Sequence, residues 1–285
     1  MPMSQALKSL DATYRARALP MGSARYWSWL FAAATARAPV LGIYALLAEW
    51  SALMDPATEH SAARIKLAWW QEEIRRLSLG VPVHPISTYL ASLPRAGDVD
   101  FAPLAQSIDA AMTETNGAPL ERSTDLEPHA WALRAQPLQV ASRLIAGDLD
   151  ESSLVECTRA LAVAEYLSRA TRGYAREVRL GRVPFAVDEL LAAGIDNTDL
   201  AADHPPAPLE NYLLKLRKRA AEHYRIATQA LPLAHRPQQR HLLVLAALGL
   251  KQLNRGAPTL GSPGMRDMLL AWSTARRALK NQRLL

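Results

Sequence analysis

The chain contains a single cysteine, Cys157. That excludes a disulfide framework and a cysteine-based zinc site, and it suits a reducing compartment. Long apolar runs are also missing. No stretch of about 18 residues is both apolar and free of charge, so no membrane-spanning helix is expected. Met1 to Arg17 lacks the apolar centre of a secretory leader. Valine-rich alternating stretches are scarce, which removes most strand signals. There is no glycine-rich phosphate loop of the Walker or dinucleotide kind, no internal repeat and no low-complexity segment. The seven histidines, at positions 60, 84, 129, 204, 223, 235 and 241, form no metal-like pair on one helix face. Basic residues exceed acidic ones by only six, 33 against 27. This mild excess permits an anionic ligand, lipid headgroups or an acidic partner without choosing among them. Aromatic residues are not interleaved with the basic ones, which argues against nucleic acid.

What is present is alanine and leucine at helical spacing, window after window. The pattern predicts helices over about Ser4 to Arg17, Ser23 to Ala36, and from Pro39 in a first turn to a stop before Pro56. Others are expected over Glu59 to Leu79 with Gly80 as the stop, over Phe101 to Thr115 broken by Asn116-Gly117, and as one long helix over Asp125 to Ala146. Asp148 or Asp150 would cap Glu151 to Leu180, and Gly181 would close it. A short helix opens at Asp188 and stops at Gly194. The Pro-rich stretch Asp196 to Pro208 reads as a loop. Three helices follow, about Pro208 to Ala230, Arg236 to Asn254 and Pro263 to Arg283. With no change of structural class along it, the chain is expected to form one all-α helical domain over residues 1–285.

Within that pattern several fragments occur in a telling order. They are Arg25-Tyr26-Trp27 through Phe31, Ile43-Tyr44-Ala45-Leu46, Leu67-Ala68-Trp69-Trp70-Gln71-Glu72-Glu73-Ile74 and His84-Pro85-Ile86. Gly181-Arg182-Val183-Pro184-Phe185 with Asp188-Glu189-Leu190 and Gly194-Ile195 completes the set. Spanning roughly residues 14 to 255, it resembles the squalene/phytoene synthase family. The resemblance implies an isoprenoid-synthase (terpenoid-synthase) bundle and head-to-head condensation of two prenyl diphosphates. It also implies two Asp-rich motifs on facing helices. Carboxylates at i, i+4 share one helix face, and two such faces hold the Mg²⁺ ions that bridge the diphosphate and stabilise its departure.

Set on the family pattern, this chain is depleted where the metal would sit. The first motif reads Ser51 and Asp55, and the arginine one turn earlier is Ala48. The second reads Gly173 and Glu177; the asparagine one turn earlier is Arg169, while the arginine before the Asp is kept as Arg172. Asp55 and Glu177 are thus remnant carboxylates, no metal site is expected, and Mg²⁺ would be required only if transferase activity survives. The sequence looks closer to the family's non-catalytic branch, which includes an assembly factor for a respiratory complex.

The same region gains cations. Glu165, Arg169, Arg172, Arg176 and Arg179 fall on one helical stripe, which the resemblance turns partly toward the active-site cavity. The arginines either grip a diphosphate, phosphate or carboxylate directly or neutralise Asp55, Glu49 and Glu177; a buried arginine cluster needs an anionic counterpart in both cases. The candidate ligand residues are Tyr44, Ser51, Asp55, Arg169, Arg172, Gly173, Arg176 and Glu177. Trp69-Trp70 is expected to put one ring into the core, or alternatively along an isoprenoid tunnel. Cys157 reads as packed core. The last helix, with Met268, Leu269, Trp272, Leu279 and Leu284 among Arg266, Arg276, Arg277, Lys280 and Arg283, either packs on the bundle or lies on an anionic membrane surface.

Three functions remain open from sequence. One is a binding or assembly factor without transferase activity, for a membrane-associated respiratory complex, with an isoprenoid diphosphate or another anionic lipid as a ligand. The second is a prenyl diphosphate transferase with altered metal use. The third is a metal-free carrier of a lipid or diphosphate that uses the arginine stripe. All three fit a cytoplasmic protein or one held at the inner face of the membrane.

Overall fold

Local signals set most helix ends. In the computed structural model, which describes residues 10–147, 149–253 and 264–280, Asp11 caps α1 (Ala12–Ala18) and Ser23 caps α2 (Ala24–Leu30). A 3₁₀ turn, Ala34–Ala36, leads into α3 (Arg37–Leu53). The helix expected to reach Ala36 therefore ends at Leu30. Glu59 caps α4 (His60–Ser78), and Gly80 follows it at φ +75°. Pro85 opens α5 (Pro85–Ala91), and α6 (Leu104–Thr115) ends before Gly117 at φ +72°.

The helix expected over 125–146 is interrupted. Here α7 (Leu126–Ala130) passes into a π-helical turn, Trp131–Ala135, and then into α8 (Gln136–Ile145). Asp150 caps the 29-residue α9 (Glu151–Arg179). Beyond it come α10 (Val187–Ala192) and α11 (Asn197–Ala201). The latter corrects the loop expected over Asp196 to Pro208, because Asp196 and Asp199 form a reciprocal capping box there. The remaining helices are α12 (Ala207–Ala230), α13 (Arg236–Leu253) and α14 (Met265–Leu279). The expected segments before Leu10, the Asp148 cap, and Asn254, Pro263, Arg283 and Leu284 lie outside the described residues.

Among the described residues there is no strand, in keeping with the all-α expectation. The apolar α3 is buried along almost its whole length at the centre, packed by α1, α2, α5 and α8. On the other side α12 lies along α9, and α13 along α12 and α14. Buried residues from Leu10 to Ala278 form one contiguous apolar core. A second, small cluster of Val244, Leu248, Ala271 and Ala275 holds α14 to α13 and packs against Ala24, Trp27 and Phe31 of the α2 region. No helix among the described residues is long and apolar enough to cross a membrane.

Candidate active-site cavity

A cavity of about 350 Å³ opens between α9, α12, α13, the π turn and the entry to α2, a size within the range of small-ligand sites. From α9 it takes Glu165, Tyr166, Arg169 and Arg172, one face of the helix at i, i+1, i+4 and i+7. Arg134 and Leu133 come from the π turn, and Arg25, Ala24 and Ser23 from the start of α2. Tyr224 of α12 and Leu245, Gly249 and Gln252 of α13 close the far wall. The glycine is required: a Cβ on Gly249 would overlap the Tyr224 ring.

Four guanidiniums face this space against one carboxylate, Glu165. Among the described residues, only Arg169 of the four has acidic partners. It bonds Glu114 of α6 at 2.6 Å and Glu177, two turns along α9, at 3.2 Å, and both carboxylates are 7% exposed. Burial pushes the Glu114 carboxyl up, but Arg169 and then His129 (3.4 Å away) outweigh it and hold it at about 2. Glu177 goes the other way: burial raises it, against the pull of the more distant Arg169 contact and with Glu114 adding repulsion. Its Oε2 is buried without a hydrogen-bond partner.

The other three cavity arginines make neutral contacts. Arg134 donates to Ser51 Oγ at 3.2 Å, and burial lowers its pKa to about 10, which leaves it charged at neutral pH. Arg172 donates to the Ser168 carbonyl at 3.0 Å and to Gln252 Oε1 at 3.4 Å. Arg25 lies 5.7 Å from the centre of the Tyr44 ring.

The squalene/phytoene synthase family model matches residues 21–256. The chain belongs to the squalene/phytoene synthase family. Among solved structures, a dehydrosqualene synthase in complex with ligand matches 98% of this chain and 99% of its own at 13% identity, with a TM-score of 0.75. Squalene synthase HpnC from Alicyclobacillus acidocaldarius matches 87% of this chain and 96% of its own at 18% identity, with a TM-score of 0.70. At these identities the likeness establishes the fold, the all-α isoprenoid-synthase bundle. No curated protein matches the chain.

The squalene/phytoene synthase positions expected to hold Mg²⁺ do not fit a metal cluster. Ser51 is engaged by Arg134. Asp55 is taken by Arg176, whose Nη2 donates to both carboxylate oxygens at 2.8 and 3.1 Å and holds the Asp55 carboxyl below its usual range. Glu177 is bound by Arg169. Gly173 has no side chain, and a Cβ there would meet only Glu177 Oε1, at 3.6 Å. Among the described residues, no three His, Cys, Asp or Glu side chains are grouped to hold a metal ion. Hard divalent cations need several oxygen ligands, and the carboxylates at these positions are bonded to guanidiniums.

The residues singled out from sequence divide three ways. Arg169 and Arg172 line the cavity, whereas Arg176 and Asp55 form a half-exposed pair outside its wall. Tyr44, Ser51, Gly173 and Glu177 do not line it: Tyr44 is fully buried behind Arg25, with its hydroxyl 2.8 Å from Ser28 Oγ. Glu177 instead borders a small neighbouring pocket with Glu114, His129 and Arg182. The expected neutralisation of Glu49 by the stripe is wrong, because Glu49 pairs with Arg17 of α1 at 3.1 Å. Trp70 is buried against Trp50 and His84, Trp69 is 41% exposed with its ring edge-on to Trp70, and neither lines the cavity. Cys157 is core, with burial raising its thiol to about 12. Arg134, Arg25 and Glu114 were missed as site residues. Arg25 was visible only inside a family fragment, and the other two carry no local signal.

Proposed function

We propose that this member of the family is a metal-independent binding protein for an anionic isoprenoid, a prenyl diphosphate or a lipid with the same headgroup chemistry. It does not join two such molecules. One observation carries this reading: the carboxylates left at the family's metal positions are bonded to guanidiniums of their own chain, while three cavity arginines have no acidic partner among the described residues. A diphosphate entering the cavity meets Arg25, Arg134 and Arg172, whose planar forks suit phosphate oxygens. The chain's Leu133, Leu245, Tyr166 and Tyr224 supply apolar wall for a prenyl tail. With no clustered carboxylates among the described residues, divalent ions are not positioned on the leaving group, and ionisation of the allylic diphosphate is not assisted.

The test is calorimetric titration with farnesyl diphosphate in EDTA and in Mg²⁺. Binding is expected in both buffers, weakened about tenfold or more by Arg172→Ala or Arg134→Ala. Binding only with Mg²⁺, or release of diphosphate during formation of a coupled hydrocarbon, would establish the transferase instead. A second reading, an assembly factor gripping a protein partner, is favoured by the exposed Leu79, Val81 and Val83 beyond α4. Absence of farnesyl diphosphate binding in either buffer would select it.

A further inference from the structure

Among the described residues, nothing covers the outer face of α14. Its inner side, Ala271, Thr274, Ala275 and Ala278, is buried on the bundle. Its outer side carries large apolar side chains into solvent: Met265 is 74% exposed, Leu269 50%, Trp272 47% and Leu279 54%, with Met268 beside them. At 100° per residue, Met265, Met268, Trp272 and Leu279 cluster on one flank of that face, Leu269 and Arg276 run along its middle, and Lys280 and Arg266 follow on the other flank. Arg276 lies over the Trp272 ring, 5.2 Å from its centre. The only acidic residue of the helix, Asp267, is turned inward onto Lys251 of α13 at 2.8 Å. The exposed face is therefore apolar on one side, basic on the other and free of negative charge.

We infer that α14 docks the protein on an anionic lipid bilayer, its apolar flank in the acyl boundary and Arg266, Arg276 and Lys280 at the headgroups. Charge complementarity selects this occupant. A protein groove would leave the basic flank needing a matched acidic surface, whereas an anionic leaflet satisfies both flanks of a helix lying in its plane. No described helix, α14 included, is long and apolar enough to span, so α14 itself would lie in the plane of the surface.

The placement has a further consequence for the cavity. Ala24 belongs both to the cavity wall and to the apolar cluster beneath α14. Gln252 of the cavity wall is next to Lys251, the residue that holds Asp267. Met21, 81% exposed, projects from the turn whose Pro20 lines the opening. Docking through α14 sets the cavity beside the bilayer surface. The docking itself stands whether or not the cavity binds an isoprenoid.

The experiment is flotation of the full chain with vesicles of phosphatidylcholine alone and of equal parts phosphatidylcholine and phosphatidylglycerol. Binding is expected to the anionic vesicles only, and to fall as salt rises. Arg276→Gln and Lys280→Gln should each weaken partitioning about fivefold. Leu269→Glu with Trp272→Glu, both at exposed positions, should abolish it while circular dichroism stays unchanged. Three results overturn the proposal: no flotation with anionic vesicles at low salt, flotation undiminished in the Leu269→Glu/Trp272→Glu variant, or a concentration-dependent dimer that this variant dissolves in the absence of vesicle binding. The last would assign the face to a second copy of the chain.

Discussion

Arg169 is the residue on which the interior charge of the site depends. Its guanidinium neutralises two carboxylates, Glu114 and Glu177, that water barely reaches. Removing one partner of a buried pair strands the other, so Arg169→Ala should cost about 3–5 kcal/mol. Arg176→Ala breaks a pair of which both members are well exposed, so it should cost less than about 1 kcal/mol. Urea unfolding of the two variants gives the comparison, and equal losses would contradict the charge assignment. Acid should act on the same cluster. Glu114 is held at about 2 against an ordinary 4.5, so its contribution, on the order of 3 kcal/mol, is complete above about pH 4.5 and is lost as pH falls toward 2. Asp55 shifts in the same direction. Glu177 has the opposite sign: with its folded value raised, it favours folding more as pH drops through its own range and offsets part of the loss. Stability measured from pH 7 down to pH 3 should fall, and Glu114→Gln should flatten that fall.

Two glycines on facing helices have opposite roles. Gly173 sits inside α9 with helical backbone, and a Cβ there would make only an ordinary contact, with Glu177 Oε1 at 3.6 Å. Gly173→Ala should raise stability by about 0.5–1 kcal/mol, the usual gain from replacing glycine in a helix. Gly249→Ala pushes a methyl into the Tyr224 ring and should lose about 1–3 kcal/mol by overpacking. Thermal unfolding separates the two signs. Helices such as these were largely legible because their ends carry local chemistry: the Glu59 and Asp150 caps and the positive-φ Gly80, Gly117 and Gly181 mark them. The π turn at Trp131–Ala135 was not legible, because its apolar spacing is close to that of a plain helix. Likewise Arg169 and Arg172 could be placed on one face of α9 from period alone. Glu114 and Arg134 could not, since they reach the site from α6 and the π turn, and pairing between distant segments leaves no period in either.

Across the whole molecule, a ligand that binds only the folded chain must raise its stability, by about 2.7 kcal/mol at a hundredfold excess over Kd. Farnesyl diphosphate should therefore raise the melting temperature by several degrees in EDTA, and Arg134→Ala should shrink that rise; a shift that appears only on adding Mg²⁺ would contradict the arginine site. The bundle also has an internal division. Most of its buried side chains belong to one apolar core, whereas α14 is held chiefly by the small patch of Val244, Leu248, Ala271 and Ala275 and by the Lys251–Asp267 pair. Opening free energies track such local burial. Amide hydrogens of residues 265–279 should exchange with deuterium well ahead of those in α3 and α9, as one cooperative unit. The C-terminal helix would then be the first to peel away, uncovering Val244 and Leu248 while the arginine cluster is still folded behind them.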